Sequence, residues 1–203
     1  MDPMQLFRLT IRILCDCVPD QSVPVYLASE TADNEESVFR GVVCCAGDYP
    51  IVICDGNSTA GYPGGKIWAE QIKQNYGVVQ ERIHLVPLAG PLNTKTELKA
   101  LADYVKERGW KEVAITAPPF HQVRVFLTFL RIIQLAQMNN LKIYNRVGQP
   151  QPWQEQAAHS QGVLRDTREN LIASEFERII KYTSKGDLAT LDEALEYLRI
   201  RDT

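Results

Sequence analysis

The sequence predicts an α/β fold: a parallel sheet of about five strands with helices on both faces, and further helices packed on its C-terminal side. Three observations lead there. Short apolar runs recur near residues 25, 51, 83, 113 and 141. Stretches of helix length stand between them, and Gly47, Gly77 and Gly109 fall where three of those helices should stop. Strands alternating with helices need crossover connections, which make the strands parallel and cover both faces of the sheet. If the first strand is central, the loops after the first and fourth strands flank the switch point where such sheets bind ligands.

Residues 4–17 read as an amphipathic helix, followed by a loop from Pro19 to Pro24. Val25 to Ala28 is the first strand, and the polar run Ser29-Glu30-Thr31-Ala32-Asp33-Asn34 leads to a helix over about Glu35 to Ala46. Pro50 to Cys54 is the second strand. The glycine-rich loop Asp55 to Lys66 then opens a helix near Ile67 to Tyr76. Ile83 to Leu88 is the third strand. Thr94 and Glu97 have capping-box spacing at the start of a helix reaching Arg108. Val113 to Ala117 is the fourth strand, stopped by Pro118 and Pro119, because proline lacks the amide proton a ladder needs. A long apolar helix from Phe120 follows, and Leu141 to Asn145 is the fifth strand.

Residues 1–147 thus form the sheet domain, and 148–165 are expected as a connecting loop, rich in glutamine and proline, draped over it with Trp153 as anchor. Residues 166–203 form a helical pair packed on the same domain: one helix to about Thr183, a break at Gly186, and a last helix to about Arg199. Thr190 and Glu193 supply a second capping box.

Composition bounds the function. A chain of 203 residues with 45% hydrophobic and 23% charged residues has the make-up of an ordinary soluble domain. A net charge of −3 argues against a nucleic-acid-binding role. No apolar run approaches the roughly 20 residues of a membrane span, and the N-terminus lacks the features of a signal peptide, so a cytoplasmic protein without a membrane partner is expected. Five cysteines without a CxxC pair do not suggest a disulfide framework. His84, His121 and His159 show no metal-ligand spacing to one another or to cysteine, so no metal is expected.

The segment Glu112 to Arg131 concentrates the chemistry. His121, Arg124, Thr128 and Arg131 fall three and four apart, on one helix face, and the first two lie just beyond the carboxyl end of a strand. A helix start there favours anions. His121 can act as acid or base near neutral pH, and Arg124 can clamp an anionic group. The competing reading is an ordinary helix with one solvated stripe. The glycine-rich loop is neither a Walker motif nor a dinucleotide fingerprint, although its amides could still hold a phosphate. Glu70 sits inside a helix, where a solvated charge is the ordinary reading. No GxSxG nucleophile elbow occurs, which disfavours a covalent hydrolase.

Over roughly residues 23–147 the chain resembles the YdcF/SanA/ElyC-like family. The resemblance is carried by IVICDGNSTAGYPGG, Glu70 in its helix, YGVVQERIHL, Asn93-Thr94-x-x-Glu97 and TAPPFHQVR. It implies a Rossmann-like three-layer sandwich with a polar pocket at the carboxyl edge of the sheet. His121, Glu97 and Glu70 would be its catalytic groups; Ser29, Glu30, Gly56, Asn57, Asn93, Thr94 and Arg124 would bind the ligand. Members have been associated with S-adenosylmethionine binding and with bacterial envelope biogenesis, so S-adenosylmethionine or another nucleotide-like cofactor is the expected ligand. Unlike the envelope members, this chain is expected to lack a membrane anchor, and its first loop, ASETADN, lacks the glycines common there. The expectation is a small-molecule enzyme. The alternatives are a non-catalytic binding or regulatory module, and a metal-free phosphoryl hydrolase.

Overall fold

In the computed structural model, residues 2–18, 23–43, 48–56, 61–159 and 164–203 are described here. Five strands form one all-parallel sheet: β1 (Val25–Leu27), β2 (Ile51–Asp55), β3 (Ile83–Pro87), β4 (Glu112–Thr116) and β5 (Lys142–Asn145), in the order β3-β2-β1-β4-β5. β1 is central, with Val25 beside both Ile51 and Ala114. The chain runs outward from it on both sides, which places the switch point between β1 and β4, where the loops after these two strands meet.

Side chains alternate across the sheet, so each strand feeds two cores. Tyr26, Val52, Val113, Ile115 and Ile143 face one layer, formed by α1 (Pro3–Leu14), α4 (Thr94–Arg108), α5 (Pro119–Leu135) and α7 (Leu191–Arg201). Val25, Leu27, Ile51, Ile53 and Ala114 face the other, formed by α2 (Glu35–Val43) and α3 (Gly65–Tyr76). With both faces covered, the strands are apolar almost without alternation, as buried parallel strands are. The result is a Rossmann-like three-layer sandwich with C-terminal helices packed on it. Among the described residues, no helix is long and apolar enough to cross a membrane.

α5 is buried nearly all round, and His121, Arg124 and Thr128 are buried with it. The solvated-stripe reading of this helix is therefore wrong. α6 (Arg168–Ser184), α4 and α1 pack around it and enclose its polar residues. The segment expected as a draped loop is also different. Residues 156–159 and 164–167 form β6 and β7, an antiparallel hairpin, and Trp153 is 40% exposed rather than an anchor. The hairpin is fastened by polar contacts instead. Thr31 Oγ1 and Asn34 Nδ2 both donate to the Ala158 carbonyl, and the Ala158 amide donates to Asp33. Arg168 reaches back to the Asp33 carbonyl at 2.6 Å. Gly148 lets the chain begin this path, because a Cβ there would stand 2.6 Å from Ser37 Oγ and 2.9 Å from the Ala117 carbonyl.

One helix start is offset by a residue from its expected position. Asn93, not Thr94, caps α4: its side chain accepts from the Lys95 and Thr96 amides, and Thr96 completes the box. Glu97 is thereby released from capping. The box formed by Thr190 and Glu193 stands as expected at the start of α7.

The far end of α7 is held by a buried ion pair. Arg201 grips Asp16 with two nitrogens, at 2.6 and 2.7 Å, and donates to the Ile143 carbonyl at 2.7 Å. Asp16 also accepts from the Asn145 amide and side chain, so this pair joins the chain after α1, the edge strand β5 and α7. Removing one partner of a buried pair leaves the other charge unmatched, at about 3–5 kcal/mol. Arg201→Ala is expected to lose stability on that order in urea unfolding, with the sheet's circular dichroism retained in native buffer.

Candidate functional site

At the carboxyl ends of the central strands lies a cavity of about 410 Å³. The loop after β1 supplies Ser29, Glu30 and Thr31; the start of α4 supplies Asn93, Thr94, Lys95 and Glu97; α5 supplies His121, Arg124 and Thr128. Tyr62 comes from the glycine-rich loop, His159 from β6 and Arg178 from α6.

The first turn of α5 is locked onto the sheet by Gln122. Its side chain accepts from the Ala117 amide at 2.7 Å and donates to the Ile115 carbonyl and to Asn145. That latch fixes the neighbouring His121. His121 Nδ1 lies 2.5 Å from Glu30 Oε1, and both side chains are buried. Glu30 Oε2 is 3.8 Å from Nδ1 of His159, whose Nε2 is 2.8 Å from Glu175 Oε1. The rings of His121 and His159 meet edge to face, centroids 4.9 Å apart. Glu175 Oε2 accepts from Arg124 Nε at 2.5 Å, while Arg124 Nη1 donates to Thr94 Oγ1 at 3.1 Å. Arg178 stands 3.8 Å from the same carboxylate. A continuous buried network therefore runs from His121 through Glu30, His159 and Glu175 to Arg124.

Burial and neighbouring charge pull the buried groups in different directions. Burial alone would raise Glu30, but the two imidazoles beside it, His121 before His159, outweigh it and hold its carboxyl at about 2. Glu175 is likewise held well below the usual carboxylate range, because Arg124 and the histidines overcome its burial. Burial pushes the His121 imidazole down, helped by Arg124, and Glu30 does not reverse it. His159 is pushed the other way, since its hydrogen bond to Glu175 and the nearby Glu30 carboxylate overcome its burial. Of the two imidazoles, His159 therefore holds its proton more readily than His121. The Nε2 of His121 is buried without a hydrogen-bond partner among the described residues, as is Ser29 Oγ.

On the other side, Glu97 is buried, and its Oε2 accepts from Tyr26 at 2.7 Å and from the Ser29 amide at 3.1 Å. Burial raises this carboxyl, and the two donors pull it partly back. Three ligand-type groups, Glu30, His121 and His159, have donor atoms within 4.8 Å of one another, so these residues could hold a metal ion.

Seven of the residues expected at the site therefore meet here: Ser29, Glu30, Asn93, Thr94, Glu97, His121 and Arg124. Glu70 does not. It points outward from α3 and pairs with Lys73 at 2.5 Å, its side chain 58% exposed, because α3 turns that face to solvent. Gly56 packs beneath the cavity against Leu88, Leu92 and Tyr62 rather than lining it. Asn57 lies outside the described residues. His159, Glu175 and Arg178 are additions. His159 sits in a glutamine-rich stretch with no motif around it, and Glu175 with Arg178 has the spacing of an ordinary surface pair.

The network makes stability depend on pH in a traceable way. His159, raised in the folded state, contributes stability that is fully present below its ordinary 6.5 and lost as pH rises through its higher folded value. Glu30, lowered, contributes stability present above 4.5 and lost as pH falls toward about 2. With chelator present, the stability gap between wild type and His159→Gln should be widest below pH 6.5 and close at alkaline pH. The gap to Glu30→Gln should close toward acid. Urea melts across pH check both, and gaps that stay constant with pH would contradict the proton assignment.

Comparison with family models finds no match to this chain, and comparison with curated proteins finds none either.

Proposed function

We propose that this chain is a small-molecule enzyme whose pocket takes a compact anionic ligand, phosphorylated or nucleotide-like. His121 is the group that meets its reactive part. The observation that carries this reading is that two guanidiniums at the cavity wall, Arg124 and Arg178, share one carboxylate: Glu175 lies 2.5 Å from Arg124 Nε and 3.8 Å from Arg178 Nη1. Burial, and the adjacent Arg124, push the Arg178 guanidinium down despite Glu175. An anion is the natural complement, and a planar guanidinium suits a phosphate or carboxylate.

The His121 Nε2, unpartnered among the described residues, supports a chemical role, because a ligand atom can take up that hydrogen bond. On the opposite wall, Glu97 suits a hydroxyl or ammonium group. The volume of about 410 Å³ falls within the usual range for small-molecule sites. Nucleotides, phosphorylated sugars and S-adenosylmethionine all pair an anionic group with hydroxyl or amino groups.

Mass spectrometry of small molecules released from natively purified protein identifies the class. Calorimetry with inorganic phosphate, ADP and S-adenosylmethionine then tests the charge argument. Arg178→Ala is expected to weaken binding of an anionic ligand by about 1.5–3 kcal/mol, the worth of a charged hydrogen bond. Equal affinity of wild type and Arg178→Ala for every anion tried would defeat the reading.

A further inference from the structure

We propose that Glu30, His121 and His159 form the binding site of one divalent transition-metal ion, placed so that the pocket's anionic ligand completes its coordination. The second half rests on the ligand reading above; the ion site does not.

The three residues come from three separate segments: the loop after β1, the first turn of α5 and the hairpin strand β6. All three are buried, with their donor atoms within 4.8 Å of one another. Two imidazoles and one carboxylate suit Zn²⁺, Fe²⁺, Co²⁺ or Mn²⁺, and three protein ligands leave positions open for water or substrate. The separation of His159 Nδ1 from Glu30 Oε2, 3.8 Å, is too long for a hydrogen bond. Two donors sharing one ion at about 2.1 Å each can lie up to about 4 Å apart.

Orientation supports the assignment. Glu175 takes Nε2–H of His159 at 2.8 Å, which turns Nδ1 toward Glu30. A carboxylate behind a ligating histidine is the usual device for fixing its tautomer. On His121, Nδ1 faces Glu30 at 2.5 Å, a proton-sharing distance, and the two part to about 3–3.5 Å when an ion bonded to each at about 2.1 Å replaces that proton. The His121 proton then resides on Nε2, and the His159 Nδ1 proton leaves to solvent. The Nε2 of His121, unpartnered among the described residues, becomes a donor for the ligand's anionic group. Arg124 does not oppose the ion strongly, because Glu175 neutralises it at 2.5 Å.

The test titrates chelator-treated full-length protein with Co²⁺ and with Zn²⁺, following heat and, for cobalt, visible absorption. One equivalent per chain is expected. His121→Gln and His159→Gln should lose at least about a hundredfold in affinity, and Glu175→Gln about ten- to a hundredfold. His84→Gln, a histidine outside the cavity held by Tyr104, should leave binding unchanged. Adding phosphate to the cobalt protein should shift the absorption bands, since an open position is filled. Wild type binding neither ion more tightly than about 1 mM would overturn the proposal, whatever the folding of the variants. So would an equivalent that survives His159→Gln and disappears with His84→Gln. Phosphate binding measured on chelated protein separates the two readings: if it persists without any metal equivalent, only the ion site fails; a metal equivalent without anion binding leaves the ion site standing and removes the ligand reading.

Discussion

Glu175 accepts from Arg124 at 2.5 Å and from His159 at 2.8 Å, and those two cations can be buried because it is there. Glu30 plays the same part between the two histidines. Neither carboxylate could be buried alone at tolerable cost, since an isolated ion loses far more hydration than packing returns. The loop after β1, helix α5, the hairpin and helix α6 are thus tied together by mutual necessity, each charge justifying the burial of the next. The cavity takes its shape from that knot. Its walls are the segments that the network draws together, above a sheet whose central strands pack chiefly through apolar side chains.

The sheet itself was legible in the residues. Five apolar runs, separated by helices with recognisable stops, admit few arrangements once parallel crossovers are required. The pairing of β1 with both β2 and β4 is what brings the Ser29–Thr31 loop beside His121. Asn93, Glu97, His121 and Arg124 could be expected there because they lie at or after strand ends, where such sheets place ligands, whereas Ser29, Glu30 and Thr94 were named through a resemblance. Glu97 was legible as a position but not in its role. Its spacing from Thr94 imitates a cap, while Asn93 takes that work and frees Glu97 to accept from Tyr26 and the Ser29 amide.

What the residues did not disclose depends on contacts between distant segments. His159 and His121 are separated by 38 positions, and no spacing rule links them. The hairpin carrying His159 has little apolar alternation; beside a small apolar contact of Ala157 and Leu164 with Phe120 and Leu171, it is held by Thr31, Asn34, Asp33 and Arg168. A segment fastened by side chains to another loop looks like a loop itself. Glu70 erred in the opposite direction. It lies in a stretch that resembles a family motif, yet the periodicity of α3 turns it to water, and helical phase decides burial more firmly than motif membership.

The order in which the ribosome releases the chain gives the Glu175 contact a further meaning. All five strands and the buried Arg124 are synthesised before residue 175 emerges. Until then Arg124 lacks the carboxylate that pairs with it and keeps its hydration. Docking of α6 replaces that water with Glu175 and completes the cavity wall. A chain that stops short of α6 would have a sheet to fold but no carboxylate with which to keep its central arginine dry.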